Sequence, residues 1–102
     1  MDAEQVIMGI IVNAGQARSL YFDALNDAKN GQFERAEQKL QEAKGFISEA
    51  HHVQTALIEE DEGQGKIPMT LIMVHAQDHL MTSMLAGELV QELIALYQRQ
   101  SD

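Results

Sequence analysis

Small and apolar residues recur along the start of the chain at alternating steps of four and three: Ala3, Ile7, Ile10, Ala14, Ala17, Tyr21, Ala24 and Ala28. An α-helix turns once in about 3.6 residues, so this spacing gathers all of them on one stripe. A strand would scatter them over both faces. The pattern predicts a helix over about residues 2–29 with a buried seam.

Asn30 and Gly31 interrupt that seam, and a second one follows with the same spacing: Phe33, Ala36, Leu40, Ala43, Ile47, Ala50 and Leu57, broken once by Gln54. This predicts a second helix over about residues 32–60, folded back on the first as an antiparallel hairpin. Asp61 to Pro68 (DEGQGKIP) holds two glycines and the only proline, so it reads as the one substantial loop. A third helix is expected over about residues 69–100. The chain, residues 1–102, then forms a single all-α domain, a three-helix antiparallel bundle. Alanines on both seams allow the axes to approach, and Ile7, Ile10, Phe33, Leu40 and Ile47 supply apolar area. The third helix is apolar around well over half its circumference, more than one buried stripe requires. It is expected to face a partner, a second copy of the chain, as well as its own hairpin, with a thickly covered core helix as the plainer alternative.

At 102 residues the chain suffices for one core and one site. Its formal net charge is -9, with only seven Lys and Arg, which argues against nucleic acid or an anionic membrane as partner. The absence of cysteine removes disulfides, thiolate metal sites and thiol nucleophiles, and it fits a reducing cytoplasm. The opening residues MDAEQV do not resemble an export signal, and no apolar run approaches the ~20 residues needed to span a bilayer.

The chemistry concentrates on the third helix. His75, Asp78, His79 and Thr82 share one helical face and interrupt an apolar stripe continued by Leu85, Ala86, Leu89, Leu93 and Leu96. Burying imidazoles and a carboxylate in such a stripe costs free energy unless each is paired, so a functional site is the better reading. Satisfied core histidines are the structural alternative. Zinc hydrolysis is another, because HAQDH approaches the HxxEH pattern of some metallopeptidases. Its Asp is a methylene shorter than the Glu that serves there as base, and the chain has no room for a substrate lobe. The third reading is nucleophilic catalysis, in which a neutral ring nitrogen takes a phosphoryl group and later surrenders it. His79 and the hydroxyls of Thr82 or Ser83 are candidate donors to its oxygens. The GQG and NAG stretches lack the glycine-rich nucleotide pattern with its lysine, so the phosphoryl group has to come from another protein.

The run VHAQDHLMTSMLA (Val74 to Ala86), together with NAGQARS (Asn13 to Ser19), EAHHVQT (Glu49 to Thr55) and ELIALY (Glu92 to Tyr97), resembles the enzyme IIA proteins of the lactose and cellobiose/chitobiose class of sugar phosphotransferase systems. The likeness spans nearly the whole chain. It implies that His75 accepts the phosphoryl group from the histidine-containing phosphocarrier protein and passes it to enzyme IIB, for uptake of a β-linked disaccharide. It implies that His79 orients or hydrogen-bonds that group. It also implies a homotrimer, a nine-helix bundle, in which Asp78 from each copy points to the threefold axis and shares a divalent cation, with Mg²⁺ the expected ion. HAQDHLMTSM looks nearer to the cellobiose/chitobiose branch than to the lactose branch.

Other polar residues receive structural readings. Asn13, His51 and Gln54 lie on or beside the seams and are expected to hydrogen-bond within the bundle or between subunits. The adjacent pair His51-His52 points in two directions and makes a poor chelator. Glu59 to Glu62 (EEDE) reads as a solvated helix end, and Met73, Met81 and Met84 as packing for the third helix. The competing overall reading is a helical interaction module, because Ala24 to Ala43 looks like a tetratricopeptide hairpin. A single hairpin falls short of the ~3 repeats that a solenoid needs, and such a module has no use for HAQDH.

Overall fold

A computed structural model describes residues 3–101. They form three helices, α1 (Ala3–Lys29), α2 (Phe33–Asp61) and α3 (Leu71–Ser101). Residues 2 and 102, at the edges of the expected spans, lie outside the described residues.

The boundaries follow from local chemistry. Gly31 has φ 75° and closes the end of α1. Its N–H donates to the Ala28 carbonyl (3.1 Å), and that of Gln32 donates to the Asp27 carbonyl (2.8 Å). α3 begins two residues later than the expected start at about Met69. Pro68 disfavours helical backbone at the residue before it, and Thr70 caps the helix. The Thr70 hydroxyl accepts from the N–H of Met73 at 3.2 Å.

The first seam is buried from Ile7 onward, and in the second Ala36, Leu40, Ala43 and Ala50 are buried while Phe33, Ile47 and Leu57 are half-buried; the core divides into two halves along the rod. The second half of α1 (Ala17, Tyr21, Ala24, Ala28) meets the first half of α2 (Ala36, Leu40, Ala43) and the end of α3 (Val90, Ile94). The first half of α1 (Ile7, Ile10, Ala14) meets Ala50 of α2 and Met73, Ala76 and Leu80 of α3. Thus α1 runs antiparallel to α2 and parallel to α3, and α2 and α3 each touch α1 more than each other. Alanines at positions 14, 17, 24, 36, 43, 50 and 76 are fully buried, which lets the axes close up. Ala3, expected on the seam, is exposed at the start of α1, where the facing helices no longer cover it. Asp27, nearly buried, carries its charge beside the Lys39 ammonium of α2, 2.7 Å from Oδ2.

The α2–α3 loop is organised by Asp61. Its carboxylate accepts from the N–H groups of Ile67 (2.9 Å) and Gly65 (3.2 Å). These bonds, that of Ile67 first, hold the carboxyl below the usual carboxylate range. Glu62, Gly63 and Gly65 all adopt positive φ, folding the loop around the acid. Glu59, Glu60 and Glu62 are exposed, as expected of a solvated helix end. Asp61 departs from that expectation because the loop amides converge on it.

On α3 the apolar excess remains uncovered within the single chain. Leu71, Val74, Met81, Leu85, Leu89, Leu93 and Leu96 are all exposed, Leu71 by 87% and the others by 42–57%.

Candidate active site

α3 places His75, Asp78, His79 and Thr82 along one side, as their spacing predicts. At about 100° per residue, Asp78 falls within the arc of exposed leucines and Val74. His75 stands at the edge of that arc, and His79 lies between His75 and the buried face. In the single chain, His75 and Asp78 are exposed and His79 is half-buried. The rings of His75 and His79 are nearly parallel, 5° apart, with centroids separated by 5.9 Å. One helical turn separates the two residues, which brings their rings into this parallel arrangement on successive turns of α3.

α1 supplies the wall behind His79. A Cβ placed on Gly15 would lie 3.5 Å from Nε2 of His79. One and a half turns further along α1, Tyr21 crosses in the opposite direction and packs over Gly87 of α3. Burial pushes the Tyr21 phenol up, and the nearby Glu88 carboxylate adds to the effect.

The two hydroxyls proposed as phosphoryl donors part company. Thr82 is exposed, and its hydroxyl donates to the Asp78 carbonyl at 2.8 Å, from which it can be released toward an incoming anion. Ser83 is fully buried, one residue and about 100° away, on the face that packs into the bundle. Its hydroxyl cannot serve His75, and it has no hydrogen-bond partner among the described residues.

The remaining polar residues take structural roles. Gln54, buried on the α2 seam, donates to Oε1 of Gln77 on α3 at 2.7 Å, a cross-link that explains the break in that seam. Asn13 donates to the Gly9 carbonyl of its own helix at 2.9 Å. His51 and His52 are both exposed, His51 directly after the buried seam residue Ala50. Two apolar hollows of about 250 and 280 Å³ lie on either side of Ile67, and His75 lines neither. Within the described residues of one chain, no three His, Asp or Glu side chains converge as metal ligands. Asp78 by itself offers hard carboxylate oxygens that suit a cation such as Mg²⁺, and further donors would have to come from other copies of the chain.

Sequence reasoning gave Gly15 no role of its own, using it only within the NAG stretch and the NAGQARS run. A glycine inside a helix is also a signal of close approach by a neighbour.

The model of the phosphotransferase-system lactose/cellobiose-specific IIA subunit matches residues 5–98. The N,N'-diacetylchitobiose-specific EIIA component of Escherichia coli K12 is 53% identical over 98 residues, covering 96% of this chain and 84% of that protein. The crystal structure of the cellobiose-specific enzyme IIA from Bacillus anthracis superposes with a TM-score of 0.93 at 40% identity, covering 99% of this chain and 93% of that one. The E. coli chitobiose IIA protein, in its solution complex with HPr, superposes with a TM-score of 0.87 at 50% identity, covering 100% of this chain and 99% of that one. No described helix is long and apolar enough to cross a membrane.

Proposed function

The chain belongs to the lactose/cellobiose-specific IIA family of the sugar phosphotransferase system, and from that premise we propose that His75 is its phosphoryl acceptor. The protein is a phosphotransferase component, relaying a phosphoryl group from the phosphocarrier HPr toward a sugar-specific enzyme IIB. The observation that carries the assignment to His75 is its exposed ring at the edge of the α3 apolar arc, with His79 alongside at 5.9 Å. A nucleophile on an open helix face, outside the apolar hollows, suits a protein donor better than a small molecule that must be enclosed.

In the transfer, a lone pair on a His75 ring nitrogen attacks phosphorus. The bond to the donor's imidazole breaks, and its electron pair returns to that ring. Little covalent machinery is required, and catalysis rests on orientation and charge stabilisation. His79 orients or hydrogen-bonds the phosphoryl group, and Thr82 is the hydroxyl within reach of the same face. Likeness to the chitobiose and cellobiose proteins favours a β-linked disaccharide as the transported sugar, and a relay fed by HPr suits a cytoplasmic protein.

The exposed arc of α3 is covered by two further copies of the chain in a homotrimer. Each Asp78 then projects to the shared axis, where three unpaired carboxylates would repel. A divalent cation of the Mg²⁺ type bound by them would supply the compensating charge.

Intact mass after incubation with phosphoenolpyruvate, enzyme I and HPr tests the acceptor. The wild type gains one acid-labile phosphoryl group and His75→Gln gains none. Phosphorylation of His75→Gln, or none of the wild type with active upstream proteins, overturns the assignment.

A further inference from the structure

We propose that Gly15 is the seat of the His79 imidazole and, through that ring, a positioning residue for phosphoryl transfer at His75; the inference rests on the acceptor role given to His75 above. Four glycines lie inside helices, at positions 9, 15, 45 and 87. A Cβ added to Gly9 or Gly45 would meet nothing within 4 Å. Gly15 and Gly87 differ from them, because each lies under a ring carried by the opposite helix. At Gly87 the ring is Tyr21, which belongs to the core. At Gly15 it is His79, which belongs to the candidate active site.

Gly15 has ordinary helical backbone, so its φ does not require glycine. Glycine inside a helix is unfavourable relative to alanine, and here it borders the Nε2 edge of His79, where a side chain longer than a methyl would compete with the ring for space. The Nε2 edge of the His79 ring faces the position a Cβ on Gly15 would take, at 3.5 Å, and the ring plane lies within 5° of that of His75. No side-chain hydrogen bond fixes this ring among the described residues: Thr82 reaches past it to the Asp78 and His79 backbone carbonyls. A small residue at position 15 therefore leaves the His79 ring the room to stand beside His75, where it can meet an arriving phosphoryl group.

A methyl group fits this contact, since 3.5 Å is ordinary van der Waals separation. A side chain with γ and δ carbons must share the volume of the ring and drive it outward.

The test uses Gly15→Ala and Gly15→Leu in the full chain, each alone and combined with His79→Ala, with Gly15→Met replacing Gly15→Leu should that variant not fold. Two quantities are measured: the rate of His75 phosphorylation by phospho-HPr, and the imidazole ¹⁵N and ¹H resonances of His79 in the unphosphorylated protein. Gly15→Ala, whose methyl only reaches contact with Nε2, is expected to displace the His79 resonances less than Gly15→Leu does. Gly15→Leu is expected to shift the His79 ring resonances and to slow phosphorylation by up to about 100-fold, with no further slowing on the His79→Ala background. Unmoved His79 resonances, or equal slowing with and without the His79 ring, overturns the proposal. A His79→Ala protein phosphorylated at the wild-type rate overturns the positioning role, with the acceptor role of His75 left standing. Failure of the acceptor role is separately visible, as absence of phosphate on His75 in the wild type.

Discussion

The Tyr21 ring lies across the α carbon of Gly87, so that a methyl group there would collide with the phenol carbons and come within 2.8 Å of Oη. This approach of α1 to α3 leaves no volume for a side chain on Gly87. Gly87→Ala is therefore expected to lower stability by about 1–3 kcal/mol, as over-packing does, despite the better helix propensity of alanine. Urea unfolding measures the change. Gly45→Ala is the control: Gly45 is exposed with open space around it, and the substitution should stabilise by roughly 0.5–1 kcal/mol.

Ser83 carries a buried hydroxyl that no described group satisfies. Ser83→Ala removes it with little change in volume and is expected to be neutral or to stabilise by up to about 1 kcal/mol. His75 should be phosphorylated at the wild-type rate, because Ser83 faces the core. A slower rate would return Ser83 to the active site.

The Asp61 carboxyl is held low by the loop amides, those of Ile67 and Gly65 among them. A group whose folded value is depressed contributes stability above the ordinary carboxylate range and loses it as pH falls through the folded value. Acidification below about pH 4 should accordingly loosen the α2–α3 loop, seen as faster hydrogen exchange at the Gly65 and Ile67 amides. In Asp61→Asn those amides should exchange faster already at neutral pH, with less dependence on acid. Unchanged protection in that variant would mean that Asp61 does not organise the loop.

Asp78 lies within an exposed apolar arc, and its replacement tests what covers that arc. Asp78→Leu should remain a trimer by sedimentation equilibrium, since the substitution removes the mutual repulsion of three carboxylates and adds apolar area. Chelation of divalent cations should weaken the wild-type assembly and leave the variant unaffected. A monomeric Asp78→Leu protein would contradict both the trimer axis and the role of the cation.

Much of this molecule is legible in one dimension because helices repeat. Ile10, Ala14, Ala17, Tyr21 and Ala24 declare their common stripe by spacing alone, and the structure buries every one of them. Gly31 and Pro68 punctuate the pattern for reasons internal to their own backbone. The same periodicity places His75, Asp78, His79 and Thr82 on one side of α3, so the candidate site is visible before any fold is known. Asp61 was less visible, because a carboxylate in an acidic run looks solvated until the turn it closes is built.

The sequence by itself determined the helices, their buried stripes and the side of α3 that carries the histidines, since each depends on neighbours three and four residues away. Only the tertiary structure decided that Ser83 is sealed in the core, that Gln54 meets Gln77, and that Gly15 borders His79. Those relations depend on how α1, α2 and α3 are rotated and shifted against one another. That arrangement comes from packing among residues far apart in the chain, which local spacing does not record.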